Sequence, residues 1–287
     1  MRTKVVINAD DLGLCESVNS AVIRAHSQGV LTSATLMVNM DAAEQAVDMA
    51  KEAGSLGIGL HLNLLEGRAV SDDPCVRVLL DGEGQFRHSP MSLAIRSMLS
   101  GSVRRAIAVE AEAQICRFLK FGLKPVHIDS HKHVHMLPMV YKTVVRLARK
   151  YNFSSLRYCF EPCWFGKGDI SGIEAKDFRR VRQVNASAKF CRYLDKSLLV
   201  NDYLCGVLHT GRCDELFWEQ LCGVLSGKIV EVMVHPGYTE GLDRQKTRLI
   251  EQRVVELEAL CSENVKRFLA QANVELVHYG MLGQGNE

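Results

Sequence analysis

The stretch Val5–Gly13, VVINADDLG, joins a short apolar, β-branched segment to two adjacent carboxylates. The apolar residues predict a buried strand at Val5–Asn8. Two neighbouring anions at the end of such a strand repel each other, and burial disfavours the charged form of both. Two interpretations of the adjacent residues Asp10 and Asp11 are therefore possible. One is a turn that caps a helix, and the other is a site where a cation lies between them and the rest of the fold.

Strand-like and helix-like segments alternate along the 287 residues. Repeated strand–helix units indicate parallel strands with helical crossovers, and seven or eight units in one chain favour a barrel over an open sheet. Besides Val5–Asn8, the predicted strands are Ser33–Asn39, Gly57–Asn63, Pro125–Ser130, Ser155–Tyr158, Asp202–His209, Lys228–His235 and Val274–Tyr279. The predicted helices are Ser17–Gln28, Asp41–Glu52, Ser102–Phe121, Pro138–Tyr151, Asp214–Leu225 and Thr247–Cys261.

Two stretches interrupt this alternation. Glu66–Pro90 contains VRVLLDGEGQFRH, which predicts a hairpin with a turn near Asp81–Gly84. Asn152–Lys196 is a second long region, and it lacks a regular period. Both follow strands, and barrels build their sites at the carboxyl ends of strands, so both stretches are predicted to form walls of a site. No linker or repeat marks a boundary, and we expect a single domain over residues 1–287.

The composition is that of an ordinary globular protein, with 47% hydrophobic residues, 24% charged residues and a formal net charge of +2. Lysine and arginine are scattered apart from short pairs such as Arg179–Arg180, so no strong field indicates a nucleic acid or a membrane surface as partner. We expect neither a signal peptide nor a transmembrane segment. The ten cysteines include no CxxC pair, which favours a reduced, cytoplasmic protein over a secreted one with disulfides.

Polar residues that bind metals or move protons collect at the predicted strand ends. They are Asp10, Asp11, His61, His127, Asp129, His131, His133, His135 and His235. In a parallel α/β fold these ends share one face, so we expect the side chains to converge. Imidazole and carboxylate suit a divalent metal, and the lack of cysteine argues against a closed structural zinc site. Such a ligand set leaves positions open for water and substrate.

Five ordered motifs resemble those of the YdjC-like carbohydrate deacetylases, a family that includes chitooligosaccharide deacetylase and hopanoid-associated relatives. The motifs are NADDLG at 8–13, GVLTSATLMVN at 29–39, GLHLNLLEG at 59–67, PVHIDSHKHVHMLP at 125–138 and EVMVHPGY at 231–238. The resemblance implies a deformed (β/α) TIM-like barrel related to the polysaccharide deacetylases. It also implies removal of an acetyl group from N-acetylated sugars.

The resemblance further implies one divalent metal ion, zinc or magnesium. Asp11, His61 and His131 would be its ligands. Asp10 would be the catalytic base, and His235 would be the partner acid on the opposite side. This agrees with amide hydrolysis, which needs an activated water and a protonated leaving amine.

Further residues are expected to support the site or the substrate. Arg157, at a predicted strand end, is expected to orient the catalytic base, as an arginine does in the related polysaccharide deacetylases. His133 and His135 are expected to support the site, and Trp164 to offer an aromatic face to a sugar, with packing of an irregular loop as the alternative. Position 132 is Lys where relatives often have His. In an extended chain Lys132 would point away from its odd-numbered neighbours.

Two other function classes stay open. A metal-dependent phosphoesterase would use a second metal, which His127, His133 and His135 could support, but no Gly-rich phosphate loop or basic cluster accompanies the motifs. A non-catalytic, metal-stabilised binding protein would retain the metal without turnover, and it does not explain two adjacent aspartates. The expected partner is a small carbohydrate or glycoconjugate, with no nucleic acid, and a homodimer is left open.

Overall fold

A computed structural model of the chain describes residues 2–86, 88–162, 172–244 and 247–282. Within these residues the strands are β1 (Lys4–Leu12), β2 (Ser33–Leu36), β3 (Gly57–Leu62), β4 (His127–Ser130), β5 (Ser155–Leu156), β6 (Tyr203–Cys205), β7 (Ile229–Val234) and β8 (Glu275–Leu276). The helices are α1 (Glu16–Ser27), α2 (Ala43–Ala53), α3 (Pro90–Leu99), α4 (Gly101–Lys120), α5 (Pro138–Lys150), α6 (Ala175–Leu194), α7 (Glu215–Cys222), α8 (Glu251–Cys261), α9 (Glu263–Gln271) and α10 (Tyr279–Leu282).

The strands form one parallel sheet in the order β5-β4-β3-β2-β1-β7-β6, and β8 pairs with the beginning of β1. Its two edges, β5 and β6, are drawn together by backbone hydrogen bonds of the segments beside them. Leu156 N–H donates to the carbonyl of Leu198 at 2.7 Å, and Leu204 N–H donates to that of Phe160 at 2.9 Å. The sheet therefore curls into the predicted deformed TIM-like barrel, with all carboxyl ends of the strands at one rim.

The predicted hairpin between residues 66 and 90 is only partly present. The turn exists, since Gly84 N–H donates to the carbonyl of Asp81 at 3.1 Å. The segment before it, however, is a 3₁₀ helix at Pro74–Leu79 rather than a strand. Proline at its first position favours a helical start, and the Asp73 side chain caps it by accepting from Cys75 N–H at 2.8 Å.

The prediction of an irregular region over Asn152–Lys196 was wrong for its second half, which is the twenty-residue helix α6. Its buried residues are only Asp177, Ala188 and Cys191, so it shows no apolar stripe that a periodicity argument could find. A capping box of Glu174 and Asp177 fixes its first turn.

The core lies between the sheet and the surrounding helices. Residues such as Ile7, Leu60 and Val232 are fully buried. The nine described cysteines are all free thiols, as expected from their spacing, while Cys163 lies outside the described residues. Among the residues described, no helix combines the length and the apolar character needed to cross a membrane. A cytoplasmic location stays a prediction.

Candidate active site

A backbone irregularity at the end of β1 turns both aspartates toward one cavity. The pairing of β1 with β2 shifts register between Ala9 and Leu12, and Asp11 adopts a φ of 65°. In a regular strand, adjacent side chains point to opposite faces. Aspartate tolerates the left-handed region better than most residues, and such a bulge re-aims its side chain. Asp10 and Asp11 therefore both line a cavity of about 1450 Å³ at the rim of the barrel.

Three donor atoms from different parts of the chain converge in this cavity. Asp11, His61 and His131 each offer one atom, and these atoms lie within 4.8 Å of one another. Asp11 Oδ1 is 3.0 Å from His131 Nδ1 and 3.5 Å from His61 Nε2. His61 Nδ1–H donates to Asp129 Oδ1 at 2.7 Å, which fixes the imidazole so that Nε2 faces the other two donors. Two imidazoles and a carboxylate arranged in this way fit one divalent metal ion.

Neighbouring charges shift the pKa values of two members of this cluster, His131 and Asp11. Burial lowers the pKa of His131, but the carboxylates of Asp11 and Glu66 outweigh it and raise that pKa to about 9. Burial raises the pKa of Asp11, but His131 and Arg253 outweigh it and hold that pKa well below its usual value. Arg253 Nη2 donates to Asp11 Oδ2 at 2.6 Å, so the other oxygen is the one that faces the imidazoles. A proton on His131 and a metal ion compete for the same nitrogen.

Asp10 has a different set of partners. Arg157 donates to it through both terminal nitrogens, Nη1 to Oδ2 at 2.8 Å and Nη2 to Oδ1 at 2.6 Å. Asn8 Nδ2 also donates to Oδ1 at 2.9 Å. A carboxylate oxygen can accept two hydrogen bonds, and Oδ2 accepts only one from the described residues. The predicted contact between Arg157 and Asp10 is therefore present, and it leaves Asp10 with room to accept a proton.

Arg157 is fully buried and contacts three carboxylates. Besides Asp10, its Nη2 lies 2.6 Å from Asp129 Oδ2, and its Nε donates to Glu231 Oε1 at 2.8 Å. The hydroxyl of Tyr279 donates to the other oxygen of Glu231 at 2.5 Å. Sequence reasoning missed both Glu231 and Tyr279. The signal for Glu231 was present, because it is the only charged residue in the otherwise apolar strand IVEVMV.

His235 lies on the same cavity and is 8% exposed. Its Nδ1 is 3.8 Å from Glu256 Oε2, which is too far for a hydrogen bond, and it has no closer partner among the described residues. Burial lowers the pKa of His235 more than the nearby carboxylates of Glu256, Asp11 and Asp10 raise it. The imidazole is therefore neutral at pH 7.

The family model described as YdjC-like protein matches residues 4–271. The chain belongs to the YdjC-like protein family. A carbohydrate deacetylase of Brevibacillus brevis is 34% identical, over 98% of this chain and all of the relative. One of Clostridium beijerinckii is 30% identical, over 96% and 98%. A solved Enterococcus faecalis structure, titled a cellobiose-phosphate cleavage protein, is 26% identical with a TM-score of 0.77, over 98% and 99% of the two chains. The chain is an enzyme of the hydrolase class.

The segment HKHVH of this YdjC-like protein is a tight turn, not an extended chain. His131–Met136 forms a 3₁₀ helix, with left-handed φ values of 51° at Lys132 and 57° at His133. The expectation that Lys132 points away from its neighbours was therefore wrong. Lys132 lines the cavity, and its Nζ lies 2.5 Å from Glu66 Oε1. The two positive φ values, which periodicity does not reveal, are the reason.

The two supporting histidines occupy different places. His135 is fully buried, with Nδ1 2.6 Å from Ser130 Oγ and Nε2 donating to the carbonyl of Arg157 at 3.0 Å. It therefore joins the end of β4 to the residue after β5 and has no access to substrate. His133 lines the cavity, with Nδ1 3.6 Å from Cys159 Sγ.

The predicted walls are present where the structure describes them. The first stretch contributes Glu66, Gly67, Arg68, Gln85, Ser89 and Pro90 to the cavity. After Arg157, α6 contributes Lys176, Arg180, Gln183, Val184 and Ser187. Trp164 lies outside the described residues. The rings of Tyr158 and Phe160 stack on each other with centroids 5.8 Å apart, so these two aromatic residues pack rather than face the cavity.

Proposed function

We propose that this YdjC-like protein is a metal-dependent carbohydrate N-deacetylase. Its substrate would be an N-acetylated sugar, such as an N-acetylglucosamine unit of an oligosaccharide or glycoconjugate. The observation that carries the proposal is the separation of two adjacent carboxylates, with Asp11 facing two imidazoles and Asp10 facing a guanidinium. A ligand and a base in adjacent positions suit hydrolysis of an amide. Relatives named carbohydrate deacetylase support a carbohydrate as the substrate.

Asp11, His61 and His131 would hold one divalent ion. The two imidazoles favour zinc, while the carboxylate and the open positions also suit magnesium. When bound, the ion supplies Lewis acidity, which polarises the acetyl carbonyl and makes water easier to deprotonate. The buried bond from His61 to Asp129 keeps the imidazole lone pair directed at the site.

Asp10 is the proposed acceptor of the water proton. Its Oδ2, which accepts a single hydrogen bond from the described residues, receives the proton, while the two bonds from Arg157 hold the carboxylate in position. His235 is the proposed donor to the leaving nitrogen. Because its imidazole is neutral at rest, it first takes up a proton from solvent and then transfers that proton to the leaving nitrogen. A general base and a general acid each contribute about 10²–10⁴ in rate.

Acetate release from a panel of N-acetylated sugars and glycoconjugates tests the proposal. We expect release with zinc or magnesium, loss of release with chelator, and recovery when the metal is returned. Asp10→Asn should lower the rate of release by about 10²–10⁴ and retain the metal. Release that continues in a metal-free protein, or at the unaltered rate in Asp10→Asn, would contradict the mechanism.

A phosphoesterase is the second candidate because cationic side chains line the cavity. They are Arg68, Lys132, Lys176, Arg180, Arg212, Arg248 and Arg253. The second possible metal group consists of Asp10, His61 and Asp129. It argues against a second metal ion, because Arg157 Nη2 already lies 2.6 Å from both of its carboxylates. His127 is buried in the core, where burial lowers its pKa to about 3. N-acetylglucosamine 6-phosphate decides between the two, since one activity releases acetate from it and the other phosphate.

A further inference from the structure

Three neighbouring helices carry an excess of cations that the net charge of the whole chain hides. α3, α5 and α6 carry one, four and six Lys or Arg residues and a single acid, Asp177, which is buried. The whole chain has nearly equal numbers, 35 cations and 33 acids. Because α5 packs against both α3 and α6, the fold joins cations that are scattered in the sequence. The net charge of the whole chain therefore does not describe the charge of these three helices.

Part of this charge is neutralised by neighbouring acids. The pairs are Arg149 with Asp195 at 2.6 Å, Lys150 with Glu112 at 2.5 Å, Lys176 with Glu174 at 2.8 Å and Arg180 with Asp177 at 3.4 Å. Six exposed cations of α5 and α6 have no carboxylate of the described residues within 4.0 Å: Lys142, Arg146, Arg179, Arg182, Lys189 and Arg192. The last two lie over the rings of Phe160 and Tyr158, and all six leave the outer side of α5 and α6 positive.

α3, which packs against α5, carries an apolar stripe on its exposed side. Met91, Ile95, Met98 and Leu99 are 57%, 50%, 66% and 82% exposed. Their spacing of four, three and one residues places them on one side of the helix, while Leu93 and Ser97 face the protein. α6 adds two exposed aromatic residues, Phe190 and Tyr193. Contiguous exposed apolar side chains mark an interaction site.

The outer sides of α3, α5 and α6, which we call the docking face, border the active-site cavity. Pro90, Met91 and Ala94 of α3 line it, as do Lys176 and Arg180 of α6. We propose that the docking face binds the surface of an anionic lipid bilayer. The stripe on α3 would enter the headgroup region and the cations of α5 and α6 would meet the anionic headgroups, as in interfacial amphipathic helices. The cavity would then open at the boundary between lipid and water.

Charge favours this partner over a second copy of the chain. A symmetric dimer across the docking face would place the cationic helices of both copies together, and like charges at an interface disfavour association. A nucleic acid would satisfy the cations, but its backbone offers no counterpart to the exposed stripe of α3. The inference does not rest on the proposed function, because its readout is binding rather than turnover.

Co-sedimentation of the full chain with lipid vesicles tests the proposal. We expect binding to phosphatidylcholine vesicles that contain phosphatidylglycerol, weaker binding without phosphatidylglycerol, and weakening by salt. Arg146→Glu with Arg182→Glu should lower the partition coefficient roughly tenfold or more, since each cation near the surface contributes about 1 kcal/mol. Ile95→Ser with Leu99→Ser should lower it by more than about tenfold through lost apolar burial. None of the four residues lines the cavity.

Matched controls carry the same changes elsewhere. Lys51→Glu with Lys228→Glu reverses two exposed cations off the docking face. Leu216→Ser with Val224→Ser replaces two partly exposed apolar residues, one in α7 and one just after it. The controls should bind like the unaltered protein, with equal melting temperatures for all variants. The proposal is overturned by no sedimentation with anionic vesicles or by equal loss in the controls. It is also overturned if the docking-face changes abolish a dimer or nucleic-acid binding and leave vesicle binding unaffected.

Discussion

Asp10 and Asp11 are neighbours in the chain but belong to different hydrogen-bond systems. The left-handed backbone of Asp11 directs it to His131 and Arg253, while Asp10 contacts Arg157. The two anions therefore avoid direct repulsion, because each is compensated by its own cation. This separation allows the proposed ligand and the proposed base to be tested independently.

Substitution of either aspartate by asparagine should give distinct results. Asp10→Asn keeps the metal but loses about 10²–10⁴ in kcat, because an amide oxygen cannot take up the proton. Asp11→Asn weakens metal binding as well, because a neutral amide is a poorer ligand than a carboxylate. Metal per chain and kcat are measured side by side. Excess metal should partly restore Asp11→Asn only, and rescue of Asp10→Asn would reverse the two roles.

Glu231 is expected to position Arg157, and through it Asp10. Glu231→Ala leaves the Arg157 Nε–H and the Tyr279 hydroxyl without their acceptor in a fully buried place. We expect the free energy of unfolding to fall by about 3–5 kcal/mol and kcat to fall, with KM and metal content unchanged. Glu231→Gln keeps an acceptor oxygen for Arg157 and should restore part of kcat.

Urea unfolding and steady-state kinetics check this expectation. Glu263→Gln, at an exposed acid on α9, is the matched control and should behave like the unaltered protein. A normal kcat in Glu231→Ala would show that Glu231 does not position Arg157 for the reaction. An equal fall in metal content would instead place its effect on the metal ligands.

At the scale of secondary-structure elements, hydrophobic periodicity predicted helices that bury one apolar face, and it missed helices that lie at the surface. α5 was predicted because Val140, Val144 and Leu147 form a buried side. α6 escaped because it shows no apolar stripe, whereas α3 was missed although its apolar spacing and its Ser89–Pro90 start are helical signals. The sequence therefore predicted the type of the buried elements, but it did not predict the surface helices α3 and α6.

The sequence was sufficient to predict that the side chains of the candidate site lie close together. Strand ends placed Asp11, His61 and His131 together, since parallel strands share a rim. The contacts of Arg253 with Asp11 and of Glu231 with Arg157 were not predictable. They join residues far apart in the chain, and a single charge in a helix or strand does not indicate its partner.

Glu161 connects the residues after β5 to those after β6 and makes stability depend on pH. Its carboxyl accepts from the backbone N–H groups of Gly206 at 2.9 Å and Leu208 at 2.7 Å. Burial nevertheless raises the pKa of Glu161 from 4.5 to about 7, because it outweighs these donors. A raised pKa means that the folded chain binds the proton more tightly. The contribution is therefore full below about pH 4.5 and is lost as pH rises through 7.

Replacement of Glu161 by glutamine removes this titration. We expect the free energy of unfolding of the unaltered protein, relative to Glu161→Gln, to fall by up to roughly 3 kcal/mol between pH 5 and pH 8. Urea unfolding of both proteins at the two pH values measures the difference. A constant difference across this range would show that the carboxyl is not protonated in the folded chain.

At the scale of the whole molecule, the barrel brings together donors that lie 120 positions apart, such as Asp11 and His131. These donors belong to β1, β3 and the turn after β4, so a bound ion joins separate parts of one rim. The same closure places α3, α5 and α6 side by side, and it creates a charged face that composition alone does not show. Both properties depend on topology rather than on any local segment.

Metal removal should therefore destabilise the chain as one unit. An ion that binds only the folded protein raises the free energy of unfolding by about 2.7 kcal/mol at a hundredfold excess over its Kd. We expect one calorimetric transition whose Tm rises with zinc or magnesium and falls with chelator. His61→Ala should keep a single transition and lose the dependence on metal, while Glu263→Gln should keep both. A second transition that ignores the metal would contradict a single domain over residues 1–287, and an unaltered protein without any metal-dependent shift would contradict the ligand set.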